Sequence, residues 1–310
     1  MLRRMFAAAL LSAALGANAQ QPPNPKVSVP EGLTYRAAQR LQAGDARGAL
    51  ADVNAAIARD SQYAGAYAMR GTIRMSGGDR AGAIADMSRA IDIAPNDKGV
   101  EIVHANRANA LWLEGRHGEA AVDVKRALEL NPELAPALLV RARLRTDAGD
   151  LDGARADLDR AIAIAPKMML TYGQRAAVHL LAGRLEESLA DYKTLMWSLP
   201  QDADAVAGHG IVRGLLGETE AALKDLVKAR GMNPVSVYDG DRGSSASSPA
   251  TRLEEYRRMN PNDARALLMR GVIRIMNNDV DDGLKQVDAA VALDPKLRVD
   301  ADLVHSRVAR

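Results

Sequence analysis

The sequence has no cysteine. Disulfides, thiolate metal sites, a cysteine nucleophile and a lipidated N-terminal cysteine are therefore excluded. Aromatic residues make up only 3% of the 310 residues, with one Phe, two Trp and seven Tyr. Strands draw on aromatic and β-branched side chains, so a β-sandwich is a poor fit. An excess of one charge is also missing: 41 Lys and Arg stand against 39 Asp and Glu, a formal net charge of +2. A general nucleic-acid or anionic-lipid binder would carry a large basic excess. No apolar run reaches the roughly 18 residues that a membrane-spanning helix needs. What the chain has in abundance is alanine, about a fifth of all residues, which is both the best helix former and a small packing unit.

The N-terminus reads as an address. Arg3 and Arg4 precede an apolar run from Met5 to Leu15, and Gly16, Ala17, Asn18 and Ala19 supply the small residues that signal peptidase accepts. The run spans only about half of a ~30 Å hydrocarbon core, so a stable anchor is disfavoured. The expectation is a secretory signal peptide over residues 1–19, cleaved before Gln20, and a Pro-rich leader over 20–29. The periplasm is the expected destination, with the cell exterior as the alternative. Arg3, Arg4, Met5 and Phe6 match only part of the twin-arginine export pattern, so general secretion is preferred. Losing Arg3 and Arg4 would bring basic and acidic side chains into balance.

A repeat decides the fold. Prolines stand at 95, 132, 166, 200, 234, 261 and 295, mostly 34 residues apart. Aligning on them gives blocks at 30–63, 64–97, 101–134, 135–168, 169–202, 203–236 and 264–297. Each block reads as two helices separated by a tight turn, usually with glycine, and closed by the proline, for which the first block has Ser61. Position 8 is small in every block (Ala37, Gly71, Ala108, Ala142, Ala176, Gly210, Gly271). Position 20 behaves alike, with Ser188 and Gly283 among alanines, and position 27 is alanine except for Leu195. Small residues there let antiparallel helices approach closely. Leu195 implies local loosening or repacking.

Two further columns carry charge. Position 7 is Arg36, Arg70, Arg107, Arg141, Arg175, His209 and Arg270, and position 23 is Asp52, Asp86, Asp123, Asp157, Asp191, Asp225 and Gln286. Arginine's planar fork can meet a carboxylate with two hydrogen bonds, so an Arg–Asp pair is expected within each helix hairpin. The period breaks twice. Lys98, Gly99 and Val100 form a short insertion. Residues 237–263 hold a polar, turn-rich stretch and then Ser248 and Pro249, which read as an N-cap with Pro at N1 ahead of a short helix to Met259. That segment reads as a degenerate half-repeat that kept its second helix. Residues 298–310 read as a capping helix.

The 34-residue period, the small residues at 8, 20 and 27, and the proline at 32 resemble the tetratricopeptide repeat. The resemblance covers about four-fifths of the chain after the signal peptide, and is specific for fold rather than function. It implies an all-α, right-handed α–α superhelix of about seven helix hairpins plus the half-repeat. It also implies a concave face, lined by the first helices, that binds a peptide, a helix or another protein. On that geometry the candidate binding residues are Thr72, Met75, Asn109, Trp112, Arg143, Asp147 and Ala177. Trp112 is the best single anchor candidate, with packing between neighbouring repeats as its alternative role.

Motifs of enzyme chemistry are missing. There is no phosphate-cradling glycine loop, no nucleophile elbow and no zinc-binding His pair. His104, His117, His179, His209 and His305 are scattered over different blocks. Asp239 and Asp241 open like a calcium loop, but Ala250 stands where a glutamate is needed. Asp279, Asp281 and Asp282 are read as helix-capping residues. The expectation is a non-catalytic interaction scaffold in the cell envelope, with no cofactor, no nucleic acid and no membrane insertion after cleavage. The alternatives are a solenoid that self-associates without a separate ligand and, behind it, an enzyme with an unrecognised carboxylate or His site.

Overall fold

A computed structural model describes residues 28–233 and 248–308. The expected signal peptide, nearly all of the leader and the whole polar stretch before Ser248 lie outside the described residues. Among the described residues there are sixteen α-helices, one 3₁₀ turn and no strand. The chain divides into two compact units, Met1–Met168 and Met169–Arg310.

The first unit holds four helix hairpins: α1 (Val29–Gln42) with α2 (Ala46–Arg59), α3 (Ala64–Ser76) with α4 (Arg80–Ile93), α5 (Val100–Leu113) with α6 (His117–Leu130), and α7 (Ala135–Asp147) with α8 (Leu151–Ile164). Their turns show why the sequence reverses there. In the first hairpin Gly44 adopts φ of +85°, the left-handed region that glycine enters without a Cβ penalty. Its N–H bonds the Leu41 carbonyl and the Asp45 N–H bonds that of Arg40, which satisfies two of the helix's last carbonyls. Asp45 then caps α2, its Oδ1 accepting from the Gly48 N–H at 2.8 Å. Asp79 and Asp150 cap α4 and α8 in the same way, at 2.9 Å.

Packing follows the small columns. Ala37, Ala49 and Ala56 have no exposed surface, and Ala37 and Ala49 share a core with Ala38, Val53, Met69 and Ile73. Each hairpin then stacks on the next: α2 and α3, α4 and α5, and α6 and α7 are in contact, and so are the first helices α1 with α3 and α5 with α7. Gly71 shows how tight the approach is, because a Cβ there would meet Met87 Cγ at 3.0 Å and the Ala83 carbonyl at 3.2 Å.

The second unit holds α9 (Met169–Leu181) with α10 (Leu185–Ser198), α11 (Ala203–Leu215) with α12 (Thr219–Met232), the single helix α13 (Pro249–Met259), α14 (Ala264–Met276) with α15 (Val280–Leu293), a 3₁₀ turn (Pro295–Leu297) and α16 (Arg298–Val308). Leu195 is accommodated by repacking: it is buried, and the residue facing it is Gly173, whose missing Cβ would sit 3.4 Å from Leu195 Cδ1. Ser188 is fully buried and donates its hydroxyl to the Ala176 carbonyl at 2.8 Å. Ser248 caps α13, accepting from the Thr251 N–H at 3.2 Å with Pro249 in the first turn. In the last turn Asn278 takes the left-handed conformation that glycine takes elsewhere. Asp279 sits at the N-cap position of α15 but makes no capping bond; its carboxylate meets Arg274 at 2.8 Å instead.

Helix α13 departs from the hairpin pattern. It has no first helix of its own among the described residues, and it packs against α9, α11 and α14, the first helices of three different hairpins. Its buried residues are Pro249, Ala250, Arg252, Leu253 and Tyr256. Helix α16 closes the unit by packing on α15, with smaller contacts to α12 and α14.

Candidate protein-binding face

The repeated charges meet inside the hairpins. Arg36, Arg70, Arg107, Arg141 and Arg175 each hold the aspartate sixteen residues later through Nε and Nη2, at 2.6–2.9 Å. His209 replaces arginine in the sixth hairpin and its Nδ1 lies 2.9 Å from Asp225. The aspartates are buried, apart from the less enclosed Asp225. Such charges stay ionised only when paired and hydrogen-bonded. The Arg36 hydrogen bond lowers the Asp52 pKa against the opposing pull of burial. Burial alone would raise that of Asp123, but hydrogen bonds from Arg107 and His104 outweigh it and hold the carboxyl below its ordinary range. Asp225 shows the same balance with His209 and Arg213.

A second basic side chain meets each of these aspartates, and position 11 supplies most of them. Arg40, Arg74 and Arg145 reach Asp52, Asp86 and Asp157 at 2.7–2.8 Å, and Arg213 reaches Asp225 at 3.3 Å. The first three also donate to the carbonyls of Gly48, Gly82 and Gly153, which ties the turn to the pair. In the fifth hairpin position 11 is His179, 4.0 Å from Asp191. In the third it is Leu111, and His104 serves instead, its Nδ1 2.7 Å from Asp123. A cavity of about 220 Å³ opens beside Leu111, lined also by Ile84, Val122 and Asp123. The position 11 column was nearly as visible in the sequence as position 7, with arginine in five blocks against six, and sequence reasoning passed over it.

Four of the seven candidate binding residues come together on α5 and α7. Trp112 Nε1 donates to Asp147 Oδ2 at 2.6 Å, and the Arg143 guanidinium lies over the indole, 4.8 Å from its centroid. Arg143 also donates to Asn109 Oδ1 at 2.7 Å. The His117 ring stacks on Trp112 with centroids 6.4 Å apart, and its Nε2 is 4.0 Å from Asp147. Trp112 is only 7% exposed, so it packs between the third and fourth hairpins. A partner that uses the indole as an anchor has to part it from Arg143 and Asp147. Thr72 and Met75 lie half-buried on α3, with the Thr72 hydroxyl bonded to the Ala68 carbonyl. Ala177 lies in the other unit, buried on α9.

Burial of the first helices varies along the chain. Helix α11 is buried from Ala205 through Val212 and α7 from Ala135 through Val140 without a break, whereas α3 buries only Ala66, Met69, Gly71 and Ile73. A helix in a solenoid that leaves one side open buries a stripe; one enclosed all round is buried at consecutive residues. Helix α13, packed on α11, is one of the elements that enclose it. Among the described residues no group of three or more His, Asp or Glu side chains is placed to hold a metal ion, and no helix is long and apolar enough to cross a membrane.

Comparison with known proteins agrees with this architecture. The sequence profile described as tetratricopeptide repeat matches residues 36–98, 104–168 and 250–297, more than half of the chain. No curated protein matches. Among solved structures, a tetratricopeptide repeat protein from Parabacteroides merdae is similar with 18% identity and a TM-score of 0.52, over 89% of this chain and 98% of that one. PilW, a type IV pilus biogenesis factor, is similar with 21% identity and a TM-score of 0.57, over 69% of this chain and 96% of its own. The anaphase-promoting-complex hetero-tetramer Cut9–Hcn1 gives 14% identity and a TM-score of 0.61, over 99% of this chain and 54% of the matched one. At these identities the structural likeness speaks for the fold alone. The profile match and the helix hairpins together place the chain in the tetratricopeptide-repeat family.

Proposed function

We propose that the protein is a non-catalytic binding scaffold of the cell envelope, which takes a peptide, helix or protein partner on its first-helix surface. The observation that carries this reading is α13: a short amphipathic helix seated across α9 and α11. First helices of this chain therefore present a surface on which a helix can pack. In the first unit the corresponding surface bears the half-buried Thr72 and Met75 and, beside them in chain order, the cluster of Asn109, Trp112, Arg143 and Asp147. Mixed apolar and polar linings of this kind suit an amphipathic helix, with a buried aromatic as anchor. Scaffolding without catalysis is general in the family.

The reading is tested by placing a photo-crosslinker at Thr72 or Met75 in the full chain in cells. The expected result is a discrete crosslinked species with another protein from the Thr72 position that disappears in Met75→Asp while the melting temperature is unchanged, because Met75 is only half-buried. Recovery of crosslinked copies of the chain alone would overturn it in favour of self-association. Export is tested by fractionation with N-terminal sequencing: a mature chain beginning at Gln20 in the periplasm or medium is expected, and an intact Met1 in the cytosol overturns it.

A further inference from the structure

Helix α13 faces two ways. Toward α14 it behaves as the second helix that a preceding repeat would supply. Glu254 Oε1 lies 2.5 Å from Arg270 Nε, sixteen residues on. Two other links in the chain use the same repeat positions: Arg70 donates to Asn54 at 3.0 Å, sixteen residues apart, and Arg107 to Ser88 at 2.9 Å, nineteen apart because of the three-residue insertion, each from a first helix to the second helix before it. Arg270 needs this partner more than its counterparts do. Its own hairpin has Gln286 where the others have aspartate, and Gln286 is turned to Asp282 at 2.9 Å. The carboxylate for Arg270 thus comes from outside the hairpin.

On its other side a second helix would meet its own first helix, and here none is present among the described residues. Helix α13 is laid against α9 and α11 instead, which belong to two earlier hairpins. The side chains it buries are spaced for one helical face: Ala250, Leu253 and Tyr256, of which Leu253 is 1% exposed. Arg252 is buried with them; its Nη1 donates to Glu255 at 2.6 Å within the helix, while its Nε has no hydrogen-bond partner among the described residues. Arg258 and Met259 are turned to solvent. The helix thus has an apolar face toward α9 and α11, its own cap at Ser248, and an ion pair within the helix for its buried arginine. These are the properties of a ligand helix.

We propose that the surface of α9 and α11 is a docking site for a short amphipathic helix, and that α13 occupies it in cis as a built-in ligand. The occupant is fixed by the structure itself: an eleven-residue helix that puts a small residue, a leucine and a tyrosine on one face at three-residue steps. A partner helix of this pattern competes with α13 for the second unit, while the first-helix surface of the first unit carries no such helix among the described residues. The inference rests on the reading of first helices as binding surfaces. It is tested with a defined peptide, so it stands or falls separately from the search for an external partner.

The probe is a fluorescent synthetic peptide of residues 248–260, titrated into the full-length protein. The native chain, with its site filled, is expected to bind it weakly or not at all. The variant Leu253→Asp removes the centre of the cis ligand's docking face while leaving the Tyr256 hydroxyl on Asp263 at 2.9 Å, and is expected to bind at least tenfold more tightly. A peptide carrying the same substitution is expected to lose that binding. Backbone hydrogen exchange on α9 and α11 accompanies the titration: rapid exchange in the variant that the native peptide reverses supports the proposal. Three outcomes overturn it. One is a variant that stays helical and does not bind. Another is native protein that binds as tightly as the variant. The third is a variant whose α9 and α11 unfold and are not restored by the peptide, which makes α13 core rather than ligand. Glu254→Arg gives a milder release through repulsion of Arg270, and is expected to strengthen peptide binding in the same direction with less disturbance of the apolar contact.

Discussion

The second and seventh hairpins share a plan and differ in where one carboxylate comes from. In the second, Arg70 and Arg74 converge on Asp86, which is buried within the same hairpin. In the seventh, Arg270 turns to Glu254 of α13, and Arg274 meets Asp279 and Asp282 near the turn. The second hairpin is closed at this site: Arg70 and Arg74 find their carboxylate within the hairpin. The seventh is open, and its pairing requires a helix from elsewhere in the chain. Losing the position 23 aspartate thus converts an internal contact into a dependence on another element.

Breaking the closed pair should be the costliest change. Asp86→Ala strands two arginines around an empty buried site and is expected to cost about 3–5 kcal/mol, read from urea unfolding. Gln286→Ala in the open hairpin should change stability by less than about 1 kcal/mol, and equal losses at the two sites would erase the distinction.

The small position 8 sharpens the comparison next. A Cβ on Gly271 would sit 2.7 Å from the Gly283 carbonyl and 2.9 Å from Val287 Cγ2, whereas on Gly71 the nearest atom is Cγ of the flexible Met87 at 3.0 Å and the Ala83 carbonyl is no nearer than 3.2 Å. Gly271→Ala is therefore expected to destabilise by about 1–3 kcal/mol through overpacking against backbone. Gly71→Ala should cost less, since methionine adapts and alanine favours the helix. Thermal melts of the two variants decide it.

A smaller effect is the coupling between partners. A double-mutant cycle on Arg141 and Asp157 should return about 1–2 kcal/mol, reduced from the value of a fully buried pair because the Arg141 side chain is 35% exposed. The same cycle on the exposed Arg116 and Glu119, also joined by two 2.7 Å bonds, should be indistinguishable from zero. Similar values for both would mean that burial is irrelevant to the pair.

The smallest expected signal is in pH. The folded pKa of Asp123 is lowered, so its contribution is fully present above the unfolded value of about 3.9 and is lost as pH falls through the folded one. Stability from this group should be flat between pH 7 and about 5 and should decline only below that. Asp123→Asn should remove part of the acid slope. A slope near neutrality that vanishes with this substitution would contradict the pairing.

Much of this was legible in the chain. The recurrence of proline, of glycine before the second helix and of small residues at fixed steps reports local rules, each acting within a single block. The Arg–Asp pair was legible too, because sixteen residues at hairpin geometry bring two fixed columns face to face. Leu195 announced a disturbance but not its remedy, since Gly173 is unremarkable until the two helices are packed. Trp112 was ambiguous for a similar reason. Its neighbours Arg143 and Asp147 lie one repeat away, and nothing in composition says whether a surface indole will be covered by them.

The sequence by itself determined that this protein is a cysteine-free, charge-balanced array of helix hairpins, because periodic small residues, caps and turns act over a few residues at a time. Only the tertiary structure decided where the array's irregular parts went. Helix α13 can satisfy its buried face and its glutamate in several arrangements that local rules do not distinguish. Its seat across α9, α11 and α14 is selected by which apolar surfaces and which unpaired arginine the folded hairpins leave available.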